Sequence, residues 1–458
     1  MKKRIMYYTA AAAAACMLLS ACQGSAGTES ASADSTQTES GTAQAESGTT
    51  QESEDGQTKT TITMWAWFDK EKLIPAFHES HPDIDVEFVK FNSSADVATK
   101  VQMAVASGGE LPDIVAVSYN EMGSMWNMDI WEDLSADPYN LDPDIFVPSL
   151  LPMMTDPNGR LVGVCEKPGI TGIGYKRELA KEYFGTDDPD EMEKIFSSYD
   201  AFIEKGKEVR DKSNGTVFMF PTVEEVFNLI YLSGQEPYLK GDTLNLEASR
   251  RAFEFVLEMK KEGLVDTMEF EGPAHDNSLI QKNHIFGMMP SYFPTSKIKN
   301  IDKDKTIQWG LMTPPEGAVN AASNAWAIPK NAKNKEAAFT WLNWFAVSDE
   351  GTQAVRDIWP TFSPVKKRYE EEGFYSMEDE WFSGQDIMKK FSEMTLTTKG
   401  IEPEYSKYLS TVQEQINIAL KTINASKDGS DVNLDQLFAD MEKQIVSKEP
   451  DIKVKQAE

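Results

Sequence analysis

Alternation of β-branched and bulky side chains over Thr61-Ile-Thr-Met-Trp-Ala-Trp67 predicts a strand at the start of the folded part of the chain. The period then becomes helical from Lys70 to Ser80, with Leu73, Ile74 and Phe77 on one face and His81-Pro82 as the stop. Asp85 to Phe91 reads as a second strand, Ala95 to Ser107 as a helix carried by Val97, Val101 and Val105, and Ile114 to Val117 as a third strand. This βαβαβ order predicts a parallel sheet with helices on its faces, and such sheets take ligands beyond the carboxyl ends of their strands. Helical periodicity returns over Tyr199 to Arg210, over Glu247 to Glu262 with Gly263 as cap, and over Pro403 to Ile423. Phe253, Val256 and Leu257 form one apolar stripe, and Tyr405, Tyr408, Leu409, Val412, Ile416 and Leu420 form another.

The N-terminus follows a different pattern. Met1 to Arg4 carries three positive charges, Ile5 to Leu19 is apolar and alanine-rich, and Ser20-Ala21 leads into Cys22. That order reads as a secretory signal with a cysteine after the cut, and the apolar run is shorter than the roughly 18 residues a membrane-spanning helix needs. Gln23 to Thr58 has no aromatic and no large aliphatic residue, so it has too little surface to bury to offset its ordering entropy, and it reads as an acidic tether.

Composition narrows the function classes. Removing residues 1–21 takes three positive charges from a net −29, leaving −32, a surface that repels nucleic acid and anionic lipid. Cys16 leaves with the signal, so only Cys22 and Cys165 remain and no internal disulfide is expected. Roughly 390 residues follow the tether, too many for one core, which predicts two lobes. His78, His81, His275 and His284 are in no zinc-binding arrangement, and neither a nucleophile elbow nor a P-loop is present. Asp431-Val-Asn433-Leu-Asp435 alternates oxygen donors as a calcium loop does. Gln436, however, stands where the loop needs glycine, and the stretch reads instead as a helix capped by Asn433 or Asp431. No metal or cofactor is expected.

Several segments in order resemble a known family: the Trp-containing first strand, Leu73-Ile74-Pro75-Ala76-Phe77, Ala106-Ser107-Gly108-Gly109-Glu110-Leu111-Pro112-Asp113-Ile114, Gly159 to Val164, Gly172 to Lys176, Ser323 to Pro329, and Lys335 to Ser348 with its Asp349-Glu350-Gly351 cap. Over residues 60–445 the chain resembles the sugar-binding lipoproteins of ABC importers, the group that includes maltose-binding protein. Cys165 and Lys176 depart from the family's usual Pro and Asn; Cys165 reads as a small apolar filler rather than a reactive thiol.

The resemblance implies an α/β, two-lobed periplasmic-binding-protein-like fold of type II, each lobe a mixed, mostly parallel sheet flanked by helices. It implies a signal over residues 1–21, a tether over 22–58, a first lobe from 59–165 with 325–370, a second from 166–324 with 371–447, and a tail over 448–458. Hinge crossings fall near Val164 to Gly172, Asn324 to Ile328 and Tyr369 to Phe374. By the same resemblance Cys22 is lipidated, anchoring a monomer to the outer face of the cell membrane, and the partners are a carbohydrate and the transmembrane subunits of an ABC permease.

Sugars offer flat C–H patches edged by hydroxyls, so aromatic rings beside polar groups are the residues to look for. Trp65, Trp67, Asp69, Tyr119, Asn120, Tyr292, Trp326 and Trp359 fall where strands end or cleft-facing loops begin, whereas Trp341, Leu342, Trp344 and Phe345 follow core spacing. The family's ligand positions map onto Trp67 and Asp69, with Trp65 either there or within the sheet. They map also onto Tyr119, Asn120 and Glu121, onto Tyr292 or Phe293, onto Asn324 and Trp326, onto Glu166 as a hydroxyl partner and, loosely, onto Tyr405. Two other readings fit the composition: a receptor for a polyamine, peptide or other polar solute, favoured by the negative charge, and a glycan-degrading enzyme using paired carboxylates.

Overall fold

The computed structural model describes residues 51–52, 58–234, 236–270, 272–320, 323–398 and 406–455. Cys22 and Tyr405 therefore lie outside the described residues, as does most of the tether.

The βαβαβ start forms as the pattern predicts. β1 (Thr58–Ala66), β2 (Ile84–Lys90) and β3 (Ile114–Ser118) are parallel, with β1 between the other two. Helices α1 (Ile74–Ser80) and α2 (Ser94–Ser107) connect them. α2 forms because Val97, Val101 and Ala104 share one buried face. It is stopped at both ends, by the Ser93 hydroxyl accepting from the Asp96 amide at 3.1 Å and by Gly108 in the left-handed region at φ 66°. α3 (Tyr119–Trp126) begins directly where β3 ends.

The chain leaves this sheet through β4 (Val164–Cys165) and enters a second one as β5 (Ile170–Lys176). In the second sheet β5 is central and pairs antiparallel with β6 (Phe286–Pro290), β7 (Trp309–Met312) and β8 (Val319–Asn320). β9 (Asn324–Ala327) then returns to the first sheet, antiparallel between β3 and β4. The two-lobed α/β fold stands, but the expectation of a mostly parallel sheet holds only for β1 to β3. The chain leaves the first sheet after β4 and returns to it as β9, so the two passages run in opposite directions, and β4 pairs antiparallel with β9 and β5 with β8. Among the described residues parallel pairing reappears outside the central strands, at Phe218 with His284, at Phe220 with Val265 and between Lys453–Val454 and Thr243–Leu244. The return crossing lies between Asn320 and Asn324, just ahead of the expected Asn324 to Ile328, because Asn324–Ala327 is itself a strand of the first sheet.

Each sheet buries its own core. Around the first are Ile62, Met64, Val115, Val117 and Trp326, with Trp341, Leu342, Trp344 and Phe345 from α7 (Lys335–Ala346). α8 (Asp349–Ile358) follows immediately, capped by the Ser348 hydroxyl. In the second sheet successive residues of β6 face opposite ways: Met288 packs into the larger core and Met289 into a smaller one with Trp309, Phe362 and Phe391. Helices that cover the larger core include α4 (Tyr199–Ser213), α5 (Val223–Leu232), α6 (Arg250–Lys261), α9 (Leu409–Ala425) and α10 (Leu434–Lys448). Tyr369, in the segment expected to cross a third time, packs against the cores of both lobes. Within the expected tail, Ile452 is buried and Lys453–Val454 pairs in parallel with Thr243–Leu244. Among the described residues no helix is long and apolar enough to cross a membrane.

Asn433 caps α10, its side chain accepting from the Gln436 amide at 3.0 Å, while Asp431 bonds Ser426 and Asp435 pairs with Arg250 at 3.1 Å. These donors point to separate partners rather than to one centre. Asn433→Ala should lower the unfolding free energy by about 1 kcal/mol, checked by urea titration of the intact protein. An unchanged urea midpoint would mean the cap contributes nothing.

Candidate functional site

The carboxyl ends of β1 and β3, the end of β4 and the start of β9 gather at one edge of the first sheet. Asn324 lies opposite Ser118, the last residue of β3, and the Glu166 amide donates to the Asn324 carbonyl at 2.9 Å. Sequence order and strand register therefore bring Tyr119, Asn120, Glu166 and Asn324 together, although the chain separates them widely.

Two neighbouring clusters occupy this edge. The first is ionic. Lys70 follows β1 and is 9% exposed, Glu166 is 8% exposed, and the ammonium donates to the Glu166 carboxylate at 2.6 Å. The same ammonium sits 4.7 Å from the ring centre of Trp359, 5.1 Å from Phe68 and 5.8 Å from Phe345. Burial alone would raise the Glu166 carboxyl, but the charges of Lys70 and Lys167 outweigh it and hold it below the ordinary carboxylate range. Burial acts the opposite way on Lys167, lowering its ammonium, and its side chain reaches the ring of Tyr292 at 5.9 Å. Glu166 was expected to face ligand hydroxyls. In the structure one of its oxygens is already held by Lys70, and Trp359 packs on that lysine.

The second cluster lines a partly open cavity of about 270 Å³ between the lobes. Tyr119 and Asn120 enter it from the start of α3, and Glu224, Phe227, Asn228 and Tyr231 from α5. Tyr238 and Met288 complete one wall, and Gln413, Ile416 and Asn417 of α9 close the other. α5 is placed by its cap: the Thr222 hydroxyl accepts from the Glu225 amide at 3.0 Å, which sets Glu224 in the first turn. Phe227, Tyr231 and Tyr238 form a stacked column, with ring centres 5.6 and 4.6 Å apart, and the Tyr238 amide donates to the Tyr231 hydroxyl at 3.1 Å. Burial pushes the Tyr119 phenol up to about 12, and it raises Tyr231 and Tyr238 further, so all three remain hydrogen-bonding phenols at any ordinary pH. Rings, amides and one carboxylate in a single enclosure can stack on a ring face and bond the groups at its rim.

The other candidates are distributed unevenly. Trp67 is half-buried, edge-on to Phe68 at 4.9 Å, and Asp69 pairs with Lys90 at 3.5 Å. Trp65 is buried in the sheet, 5.6 Å from the ring of Phe91. Trp326 is corrected from a stacking platform to a core residue in this conformation. It is 1% exposed, between Phe68 at 5.5 Å and Phe345 at 6.2 Å, and has no open ring face. Tyr292 is exposed while Phe293 is buried, which leaves Tyr292 as the accessible member of that pair. Cys165 is buried and its thiol is pushed up to about 12 by that burial, in keeping with a filler. Away from this edge His275 pairs with Glu225 at 3.1 Å and His284 with Asp266 at 2.9 Å, both histidines being buried.

Lys70, Glu224, Phe227, Asn228, Tyr231, Tyr238, Gln413 and Asn417 were not singled out from sequence. A signal existed for four of the positions: Glu224, Phe227, Asn228 and Tyr231 stand at i, i+3, i+4 and i+7, a helical stripe mixing rings with polar groups.

Among solved structures of the same fold is an extracellular solute-binding protein of family 1, with a TM-score of 0.72 at 16% identity over 84% of this chain and 99% of that one. Another is the galacto-N-biose/lacto-N-biose I-binding protein of the ABC transporter from Bifidobacterium longum, in complex with lacto-N-biose. Its TM-score is 0.66 at 21% identity, covering 87% of this chain and 99% of that one. The sugar-binding protein MalE of Xanthomonas citri gives 0.67 at 13% identity, covering 85% and 98%. No curated protein matches the chain. The family model described as bacterial extracellular solute-binding protein matches residues 72–383, about two thirds of the sequence, and the chain belongs to that family.

Proposed function

We propose that this protein captures a carbohydrate between its lobes outside the cytoplasm and delivers it to the transmembrane subunits of an ABC permease, held at the membrane by a lipid on Cys22. The lobes are residues 59–165 with 325–370 and residues 166–324 with 371–447. The observation that carries the reading is the interlobe cavity, where Tyr119 and Asn120 of one lobe face the rings and amides of α5 and α9 in the other. A ligand touching both sides favours the closed arrangement, because only there are all its contacts made. The neighbours of like fold support the ligand class, one of them holding lacto-N-biose and another being named for sugar binding. At about 270 Å³ the cavity lies just below the roughly 300–1,000 Å³ typical of small-molecule sites, which favours a small sugar over a long oligosaccharide.

Calorimetric titration against a broad glycan panel tests this, with binding to at least one sugar as the expected outcome. Tyr119→Ala should then weaken the best ligand about tenfold, the scale of one lost ring contact together with its buried area. Absence of binding by every glycan in the panel, or full affinity in the variant, counts against the reading and the site respectively.

A further inference from the structure

Glu224 is the charged side chain among the described residues lining the cavity, and no lysine or arginine is among them. One of its carboxylate oxygens is buried and finds no hydrogen-bond partner among the described residues. The same cavity is lined by the rings of Tyr119, Phe227 and Tyr231 and by Asn228. Burial raises its carboxyl, a hydrogen bond from its own backbone amide opposes that rise, Glu225 and Glu269 push upward again, and the attraction of Lys421 is a smaller opposing effect, leaving the net shift upward. A partly desolvated carboxylate gains most from a ligand that supplies a proton donor, more again if the donor is positively charged, and loses if a second anion is brought beside it. Aromatic walls bias the enclosure the same way, since their ring faces are negative.

We propose that Glu224 acts as a charge filter in this cavity, so that a sugar ring carrying a basic amine binds more tightly than the same ring when neutral, and a uronic acid ring binds more weakly than either. This inference rests on the carbohydrate reading above. An ammonium on the ligand makes a strong charge-assisted hydrogen bond to the Glu224 carboxylate, and a hydroxyl makes a weaker one. A uronate adds a like charge beside a partly buried carboxylate, which is discrimination by repulsion as well as by attraction.

The test takes the tightest neutral glycan from the panel and compares it with its 2-amino-2-deoxy derivative and its uronic acid derivative by calorimetry on the full-length protein. In the wild type the amino derivative should bind about tenfold tighter than the neutral glycan and the uronate about tenfold weaker. Glu224→Gln should draw the three affinities to within about threefold of one another, and Glu224→Asp, which keeps the charge, should preserve their order. Equal affinities in the wild type, or an unchanged order in Glu224→Gln, overturn the filter. The wild-type ranking decides the matter even if a variant fails to fold. A protein that binds neutral and acidic glycans alike leaves the carbohydrate reading standing without the filter, whereas one that binds no glycan removes both.

Discussion

Trp326→Ala should cost about 3–5 kcal/mol of folding stability, the range for emptying a buried large aromatic site. Trp326 belongs to β9, which joins β3 to β4, so its ring is fixed by a strand hydrogen-bonded on both sides. Its neighbours cannot collapse freely into the space, since Phe68 follows β1 and also meets the Lys70 ammonium, and Phe345 is locked into the aromatic stack of α7 by Trp341. Urea unfolding measures the loss, and calorimetry on protein that remains folded separates it from binding. A stacking platform would behave in the opposite way, with weakened sugar affinity and an unchanged unfolding midpoint. That result would return Trp326 to the ligand site and imply a conformation in which its ring face is open. Trp67→Ala is the control on the same edge, because a half-buried ring removes less contact and leaves no closed void.

The contrast between these two tryptophans shows where sequence reading works and where it stops. Strand alternation around Thr61 to Trp67 and the helical stripes at Val97, Val101, Phe253, Val256, Val412 and Ile416 encode which face is apolar, and those elements form within a few residues of the pattern, except that α9 begins at Leu409 rather than at the expected Pro403. Period alone cannot say what lies opposite a face. Trp326 and Trp359 sit where chain order brings aromatics to the cleft edge, yet one is covered by Phe68 and Phe345 and the other by the Lys70 ammonium. The partner that claims Glu166 is 96 residues away. Tyr119 and Asn120 were legible because the end of a parallel strand is a position defined by local order and topology. Gln413 and Asn417 were not, since they are polar residues on an amphipathic helix, and on that evidence alone they read as its solvent face. Only the approach of α9 to α3 turns that face into a wall of the cavity.

That approach depends on a missing side chain. Gly123 of α3 belongs to the first lobe, and a Cβ built on it would stand 2.0 Å from the carbonyl oxygen of Ser406, which leads into α9 of the second. Contact at that distance cannot be relieved by rotating a side chain, because the opposing atom is backbone, so one lobe must withdraw from the other. Gly123→Ala should therefore leave each core intact while disfavouring this arrangement of the lobes. Since the ligand needs both walls, the strain appears as lost affinity, about a hundredfold if the arrangement is penalised by roughly 2.7 kcal/mol. Small-angle scattering in the presence of saturating glycan should show a larger radius of gyration for the variant than for the wild type, and calorimetry should show the weaker binding directly. The helical content and urea midpoint should change little, because glycine at this mid-helix position gives way to a better helix former. A variant with wild-type affinity and wild-type dimensions would mean that α3 and Ser406 separate in the liganded protein, and that the sugar is held by a different approach of the two lobes.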